Sequence, residues 1–123
     1  MPDERPAKRV LLIDDDIVIL RLLALALQKH GYETFTAKNG VEAIELLKRE
    51  AVDIILLDLM MPVMDVLRFL RWLRDEAQMS TPTVVFTSRE TARTEEEVMK
   101  AGATLLLYKP LEITELVNRL QAL

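Results

Sequence analysis

The sequence predicts an α/β domain in which a parallel β-sheet is covered by helices on both faces. Five short apolar segments alternate along the chain with five longer segments of helical character. Several of the short segments are apolar throughout instead of alternating, which is typical of strands buried on both faces. The 123 residues suit a single domain, because each half of a divided chain would be too small.

The strands follow a short polar segment at the beginning of the chain. Residues 1–8 contain two prolines and predict a flexible tail, so the folded domain is expected at residues 9–123. Five strands are predicted, at residues 9–14, 32–37, 52–59, 81–88 and 103–110; the segment at 32–37 alternates between polar and apolar residues, whereas 9–14 and 52–59 are apolar runs.

The helices are predicted between and after these strands, at residues 17–31, 39–50, 64–77, 89–102 and 112–123. Asp16 is expected to cap the first helix, and Gly31 fits the position just after its end. The only histidine, His30, precedes that glycine. We therefore expect His30 to be an exposed residue of the last turn, without a role as a metal ligand or phosphorylated residue.

Rules of chain connection predict the order of the strands. Right-handed crossovers leave few topologies for five strand-helix units, and the order 2-1-3-4-5 of flavodoxin-like folds is the most common of them. The expected architecture is a five-stranded parallel sheet in a three-layer (βα)5 sandwich. In open sheets of this kind, functional sites form at the carboxyl ends of the strands.

The composition excludes several classes of function. Sixteen basic and 20 acidic residues leave a net charge of −4, which argues against direct binding of nucleic acid. The chain has no cysteine, which excludes disulfides, thiolate metal sites and thiol nucleophiles. No apolar run reaches the roughly 20 residues of a membrane span, and the first residues lack the apolar core of a signal peptide. We expect a cytoplasmic protein without membrane association.

Polar side chains stand at the carboxyl ends of four neighbouring strands of the predicted sheet. They are Asp14, Asp15, Asp58, Thr87 and Lys109. Carboxylates held close together repel one another, by about 3 kcal/mol for a pair at about 5 Å in an effective dielectric of about 20. A hard divalent cation, Mg²⁺ first among them, and the ammonium of Lys109 would offset this repulsion.

Such a pocket is suited to phosphoryl transfer. In that reaction, positioning and neutralisation of the phosphoryl oxygens carry most of the catalysis, and fixed cations supply both. The nucleophile would be an aspartate that forms an aspartyl phosphate. The sequence argues against two other classes of protein. A phosphatase of the dehalogenase type would need an acid in place of Met60, and a flavodoxin would need a glycine- and hydroxyl-rich loop after strand 1, where this chain has acidic residues.

Four stretches of the chain resemble the receiver domain of two-component response regulators, the family of the chemotaxis regulator CheY. The stretches are VLLIDDD at 10–16, VDIILLDLMMPVMD at 52–65, VVFTS at 84–88 and AGATLLLYKP at 101–110. Their order and spacing match the family, and the resemblance extends over essentially all of residues 9–123.

The resemblance implies a phosphoacceptor and a set of metal ligands. Asp58 would accept the phosphoryl group from the phosphohistidine of a sensor histidine kinase or phosphotransfer protein. Asp15 and Asp58 would bind Mg²⁺ directly, and Asp14 would act through water. The backbone carbonyl of Met60 would complete the protein ligands.

The resemblance also implies how the signal is read. Thr87 would hydrogen-bond one phosphoryl oxygen, and Lys109 would pair with another. The face from strand 4 to helix 5 would then shift, and a downstream protein or effector domain would recognise it. Such a domain catalyses its own phosphorylation and dephosphorylation but acts mainly as a signalling switch.

The chain departs from the family at three positions. The loop after the phosphoacceptor usually reads M-P-G-M-D-G, and Val63 and Val66 replace its two glycines. A β-branched residue costs about 1 to 3 kcal/mol where φ must be positive, so we expect a loop of different shape. Leu106 stands where the family usually has a Tyr or Phe that changes rotamer together with Thr87. We do not assign this switching role to Tyr108.

These departures favour an alternative function, a receiver-like module for protein interaction that does not switch by phosphorylation. The complete polar set at the sheet edge opposes it. Leu105 to Leu107 predict an apolar patch on the strand 4 to helix 5 face, and hence a homodimer through that face.

Overall fold

Five parallel strands form one sheet in the computed structural model, which describes residues 7–58, 63–87, 92–109 and 112–123, without the side chains of 63–65 and 92–94. The strands are β1 (Arg9–Ile13), β2 (Glu33–Ala37), β3 (Ile54–Asp58), β4 (Thr83–Thr87) and β5 (Leu105–Tyr108). Their order is β2-β1-β3-β4-β5, and every neighbouring pair is parallel. The predicted fold class and strand order are confirmed.

A helix follows each strand. The helices are α1 (Ile17–Lys29), α2 (Gly40–Arg49), α3 (Val63–Arg71), α4 (Ala92–Ala101) and α5 (Ile113–Gln121). Among the described residues, no helix has the length and hydrophobicity that crossing a bilayer requires.

The two faces of the sheet bury separate apolar clusters, because side chains alternate along each strand. Leu11 and Ile55, which are paired in register, belong to a cluster with residues of α2, α3 and α4. The next pair, Leu12 and Leu56, belongs to a cluster with residues of α1 and α5. Burial of each such side chain stabilises the fold by about 1.5 to 3 kcal/mol. The clusters on both faces therefore stabilise the central sheet.

The turn from β1 into α1 places the acidic residues at the edge of the sheet. Asp16 caps α1, since its Oδ1 accepts hydrogen bonds from the backbone N–H groups of Val18 and Ile19 at 3.0 and 3.3 Å. The helix ends before Gly31, which has a φ of +90° that glycine adopts without strain. His30 is exposed at this end, so the predicted cap, the predicted helix end and the predicted exposure of His30 are confirmed.

The third helix differs from its prediction in its last turn. After Arg71 the chain widens into a π-helical turn, Trp72–Glu76, which closes with the Ala77 N–H donating to the Trp72 carbonyl at 2.8 Å. The apolar spacing of residues 64–77 predicts one continuous helix, and a single π-helical turn within it leaves no separate signal in that spacing.

Arg74 lies in this π-helical turn and links it to the segments just before β4 and β5. Its guanidinium donates to the carbonyl oxygens of Met79, Thr81 and Gly102 at 2.8 to 2.9 Å. Burial lowers the pKa of this guanidinium. Arg74 follows Leu70 by four residues, and that spacing places it on the apolar side of the helix.

The predicted tail falls mostly outside the described residues, which begin at residue 7. The carbonyl of Lys8 accepts a hydrogen bond from the Glu33 N–H at 2.9 Å, so the ordered chain begins beside β2. A flexible tail before this point stays a prediction.

Candidate functional site

The carboxyl edge of the sheet gathers the polar residues of β3, β4 and β5. Asp58 is the last residue of β3, and it pairs in register with Phe86 on β4. Thr87 is the last residue of β4, and its carbonyl accepts a hydrogen bond from the Lys109 N–H at 2.8 Å. The three residues proposed to carry the chemistry therefore stand on adjacent strand ends.

A short ion pair joins Lys109 and Asp58. Lys109 Nζ lies 2.5 Å from Asp58 Oδ2, and the Asp58 side chain is buried while that of Lys109 is half-buried. A hydrogen bond between two charged groups is stronger than a neutral one, and low exposure limits its screening by solvent. The pair fixes the ammonium directly on the carboxylate that would accept phosphorus.

Asp14 places a second carboxyl group beside this pair. It is only 1% exposed, and its Oδ1 accepts a hydrogen bond from the Asp16 N–H at 2.9 Å. Burial, followed by a hydrogen bond to Asp58 and the charge of Asp58, raises the pKa of Asp14 to about 7. The Asp16 N–H and the Lys109 ammonium act in the opposite direction, but they do not offset the burial.

The Asp14 and Asp58 carboxyl groups suit a hard cation. Asp14 Oδ2 is buried, and no group in the described part of the chain donates a hydrogen bond to it. Carboxylate oxygens are the ligands that Mg²⁺ prefers, and a cation would stabilise both ionised groups. The donor set of this pair therefore fits Mg²⁺.

Asp15, a further predicted metal ligand, does not complete a metal-binding group with this pair in the described part of the chain. The described ranges contain no group of three or more acidic or histidine side chains close enough to hold a metal ion. Asp15 follows Asp14 directly and is exposed. Met60 lies outside the described residues, as does Ser88, the last residue of the predicted fourth strand. The roles of Asp15 and Met60 stay predictions.

A cleft between α1 and α5 leads to the ion pair. Its volume is about 350 Å³, and its walls are mostly apolar, with Leu23 on α1 and Ile113 on α5. Asp14, Asp58 and Lys109 also line it. Apolar walls reduce the local dielectric, so charges at the edge of the cleft interact more strongly than they would in open water.

The two valines in place of glycines cause no backbone strain. Val63 and Val66 both lie within α3, and the one non-glycine residue with positive φ in the described chain is Gln78. The Val66 side chain is fully buried in the cluster beneath α2, α3 and α4. Val66 thus adds to the core. The predicted change in loop shape falls on residues 59–62, which lie outside the described residues, and stays a prediction.

Leu106 and Tyr108 occupy the same face of β5 and have different surroundings. Leu106 is half-buried and packs as an apolar side chain against the cluster formed with α2, α3 and α4. Tyr108 is also half-buried, and its hydroxyl donates to Glu95 Oε2 on α4 at 2.7 Å. This contact between β5 and α4 was not predicted, because nothing in the local sequence pairs a strand tyrosine with a glutamate 13 positions earlier.

The three leucines of β5 do not form an exposed patch. Leu107 is buried, and Leu105 is half-buried against the same cluster of α1 and α5. With Leu106 packed on the opposite face, all three contribute to the core. The observation from which the sequence predicted a dimer through this face is therefore absent from the structure.

The chain is similar to known proteins in sequence and in fold. The family model for the response regulator receiver domain matches residues 10–121. Response regulator MprA of Mycobacterium leprae is 36% identical over 115 residues, which cover 94% of this chain and 50% of that protein. Transcriptional regulatory protein TrcR of Mycobacterium tuberculosis is also 36% identical over 115 residues, covering 94% and 44%. The chain thus spans about half the length of these curated relatives.

Among solved structures, the Vibrio cholerae chemotaxis protein CheY4 matches this fold with a TM-score of 0.86 and 33% sequence identity. The match covers 94% of this chain and 98% of that protein.

Proposed function

Because the chain belongs to the family of response regulator receiver domains, we propose that Asp58 accepts a phosphoryl group from the phosphohistidine of a sensor histidine kinase or phosphotransfer protein. The observation that carries the proposal is the 2.5 Å contact between Lys109 Nζ and Asp58 Oδ2, with the Asp14 carboxyl beside it. A buried carboxylate at a strand end is positioned for attack on phosphorus, and the fixed ammonium beside it can neutralise charge on the phosphoryl oxygens.

In the proposed reaction, a carboxylate oxygen of Asp58 forms a bond to phosphorus. The bond from phosphorus to the imidazole nitrogen of the donor breaks, and that nitrogen keeps the electron pair. The Lys109 ammonium would then pair with a phosphoryl oxygen, and the Thr87 hydroxyl would donate to another. Fixed donors of this kind stabilise the negative charge of the transition state.

The proposed cofactor is Mg²⁺, held directly by Asp15, Asp58 and the Met60 carbonyl, with Asp14 acting through water. When bound, the ion neutralises charge on the phosphoryl oxygens. The support is the unsatisfied buried oxygen of Asp14 and the raised pKa of that carboxyl, which mark a site short of positive charge.

The proposed output is a shift of the face from β4 to α5, read by a downstream protein or effector domain in the cytoplasm. Tyr108 supports this part of the proposal, because it directly precedes Lys109 and donates to Glu95 on α4. Movement of Lys109 onto a phosphoryl group would act on that contact through one peptide bond. A homodimer through the same face stays a proposal without support from the packed leucines of β5.

The test is the intact mass of the protein after incubation with acetyl phosphate and Mg²⁺. We expect an adduct of one phosphoryl group that is labile in alkali and hydroxylamine, as acyl phosphates are. The adduct should be absent in Asp58→Asn. It should be present in a matched control, Asp75→Asn, which changes an exposed aspartate in the π-helical turn after α3.

The alternative function is an interaction module that does not switch, and the core position of Leu106 favours it. The same experiment separates the two functions. Absence of any adduct with acetyl phosphate and with a phosphohistidine donor would support the alternative, provided that the protein is folded. An adduct that persists in Asp58→Asn would overturn the assignment of the phosphoacceptor.

A further inference from the structure

Helix α4 is attached to the rest of the domain differently at its two ends. Near its C-terminal end, Val98 is fully buried, and the Arg74 Nε donates to the carbonyl of Gly102 at 2.9 Å. Ala103, which follows that glycine, is buried in the same apolar cluster as Val98. Packing and a hydrogen bond from the π-helical turn therefore fix this end of the helix.

The first turn of α4 is joined to β5 by a hydrogen bond at the surface. The Tyr108 hydroxyl donates to Glu95 Oε2 at 2.7 Å in an exposed contact, and Glu95 lies in the first turn of the helix. A charged acceptor strengthens the bond, but water can replace either partner at an exposed position. This contact can therefore break at a lower cost in free energy than the buried contacts at the other end.

Tyr108 is connected to both of the residues that are proposed to bind phosphoryl oxygens. It pairs in register with Thr87 on β4, and it directly precedes Lys109 in the chain. Residues paired in register on parallel strands face the same side of the sheet, so the side chains of Thr87 and Tyr108 are neighbours. A change at either phosphoryl-binding residue therefore takes place next to Tyr108.

A phosphoryl group on Asp58 would displace the Lys109 ammonium. Lys109 Nζ now lies 2.5 Å from Asp58 Oδ2, and it must leave this position to pair with a phosphoryl oxygen at the usual distance of about 2.8 Å. The Lys109 side chain is 30% exposed, so the packed neighbours limit how far it can move by itself. Part of the movement then passes to the backbone at the end of β5, where Tyr108 is the adjacent residue.

We propose that the hydrogen bond from Tyr108 to Glu95 forms in the unphosphorylated protein and is lost when Asp58 carries a phosphoryl group, which allows the first turn of α4 to move about its fixed C-terminal end. The inference rests on the phosphorylation of Asp58 proposed above and adds the contact through which α4 responds to it. It requires no rotamer change at position 106, which is a leucine in this chain.

Thermodynamic linkage gives this proposal a sign that can be measured. If phosphorylation breaks the hydrogen bond, then the bond opposes phosphorylation by the same factor, because coupling between two sites is reciprocal. Removal of either Tyr108 or Glu95 as a bonding partner should therefore favour the phosphorylated state. A residue that only stabilises the fold would not have this effect.

The first test is calorimetric titration with beryllium fluoride in excess Mg²⁺, because this compound binds to aspartate as an analogue of the phosphoryl group. Tyr108→Phe removes the donor and Glu95→Ala removes the acceptor. Each variant should bind beryllium fluoride about twofold to tenfold more tightly than the wild type, which is the range expected for one hydrogen bond. The matched controls, Tyr32→Phe before β2 and Glu96→Ala on α4, should bind as the wild type does.

The second test asks whether the two side chains act as one contact. The bond can be lost only once, so the double variant should bind beryllium fluoride no more tightly than Tyr108→Phe alone. Glu95→Gln keeps an oxygen that can accept from Tyr108, and it should stay closer to the wild type than Glu95→Ala does.

The third test follows amide hydrogen exchange at residues 96–98, whose N–H groups donate to carbonyls of the first turn of α4. Without beryllium fluoride, exchange should be severalfold faster in Tyr108→Phe than in the wild type. At saturating beryllium fluoride, the two proteins should exchange at the same rate, because both then lack the bond.

Three results would overturn the inference. Unchanged affinity of Tyr108→Phe for beryllium fluoride would show that the bond does not differ between the two states, and weaker binding would show that it supports the phosphorylated state. Equal exchange rates in the two proteins without beryllium fluoride would show that Tyr108 does not hold α4. Each result is compatible with an adduct at Asp58, so the inference can fail while the proposed function stands. Absence of that adduct would overturn both.

Discussion

Lys109 Nζ lies 2.5 Å from Asp58 Oδ2, although 51 positions separate the two residues in the chain. The contact forms because Asp58 ends β3 and Lys109 directly follows β5, on either side of β4. A carboxylate and an ammonium on two strands thus meet across the end of the strand between them. The predictions below start from this contact and from the Asp14 carboxyl beside it.

Replacement of Lys109 should slow phosphorylation. Lys109→Met removes the ammonium from Asp58 Oδ2 while keeping much of the side-chain volume. We expect the initial rate with acetyl phosphate and Mg²⁺ to fall about tenfold to a hundredfold, because a fixed charge that stabilises the transition state is lost. Lys48→Met, on the exposed side of α2, should react at the wild-type rate, and equal rates for the two variants would contradict the role of Lys109.

Asp14 should destabilise the metal-free protein at neutral pH. Its pKa is raised from 3.8 to about 7, so its ionisation is harder in the folded chain than in the unfolded one. The Asp14 contribution is therefore most favourable below about pH 4 and is lost as the pH rises toward 7. In EDTA, Asp14→Asn should exceed the wild type in unfolding free energy at pH 8 by about 2 to 4 kcal/mol.

The check on Asp14 is urea unfolding of both proteins between pH 4 and pH 8. The difference in unfolding free energy between Asp14→Asn and the wild type should grow steadily with pH. The difference reports the interacting pair of Asp14 and Asp58, because the ionisation of Asp14 depends on the charge of Asp58. A difference independent of pH would show that the Asp14 carboxyl does not titrate in this range.

Mg²⁺ should stabilise the folded protein through the same carboxyl groups. At a free concentration 10 to 100 times its dissociation constant, a ligand specific for the folded state adds about 1 to 3 kcal/mol. We expect this increase in the wild type, measured by urea or thermal unfolding with Mg²⁺ against EDTA. Asp14→Asn and Asp58→Asn should lose most of it, whereas Asp75→Asn should retain it. An equal increase in all four proteins would exclude the site.

Alanine at Gly102 should cost more stability than alanine at Gly31. Both glycines have positive φ, +120° and +90°, so each substitution strains the backbone by about 1 kcal/mol or more. A Cβ at Gly102 would also lie 2.5 Å from Arg74 Cγ, whereas one at Gly31 would meet nothing within 4 Å. We expect Gly102→Ala to be at least about 1 kcal/mol less stable than Gly31→Ala.

The second measurement is a double-mutant cycle that combines Gly102→Ala with Arg74→Ala. Removal of Arg74 takes one donor away from each of three carbonyl groups, and it also removes the clash with a new Cβ. The two substitutions should therefore cost less together than the sum of their separate effects. Additive costs would mean that backbone strain alone accounts for Gly102→Ala.

The sequence by itself determined the order of the strands, the cap at Asp16, the end of α1 at Gly31 and the place of Asp58, Thr87 and Lys109 at one sheet edge. These features follow from local periodicity and from rules of chain connection, which hold for any parallel sheet of five such units. The direct ligation by Asp15 and the carbonyl of Met60 remain predictions from the family resemblance.

Only the tertiary structure decided how closely these groups approach and what surrounds them. The raised pKa of Asp14, the contact of Lys109 with Asp58 and the bond from Tyr108 to Glu95 each depend on burial and on partners from distant parts of the chain. The same is true of the leucines of β5, which the sequence predicted as an exposed patch and which are buried or half-buried against the two apolar clusters. Local patterns set which side of an element faces the core, but solvation and charge are properties of the assembled neighbours.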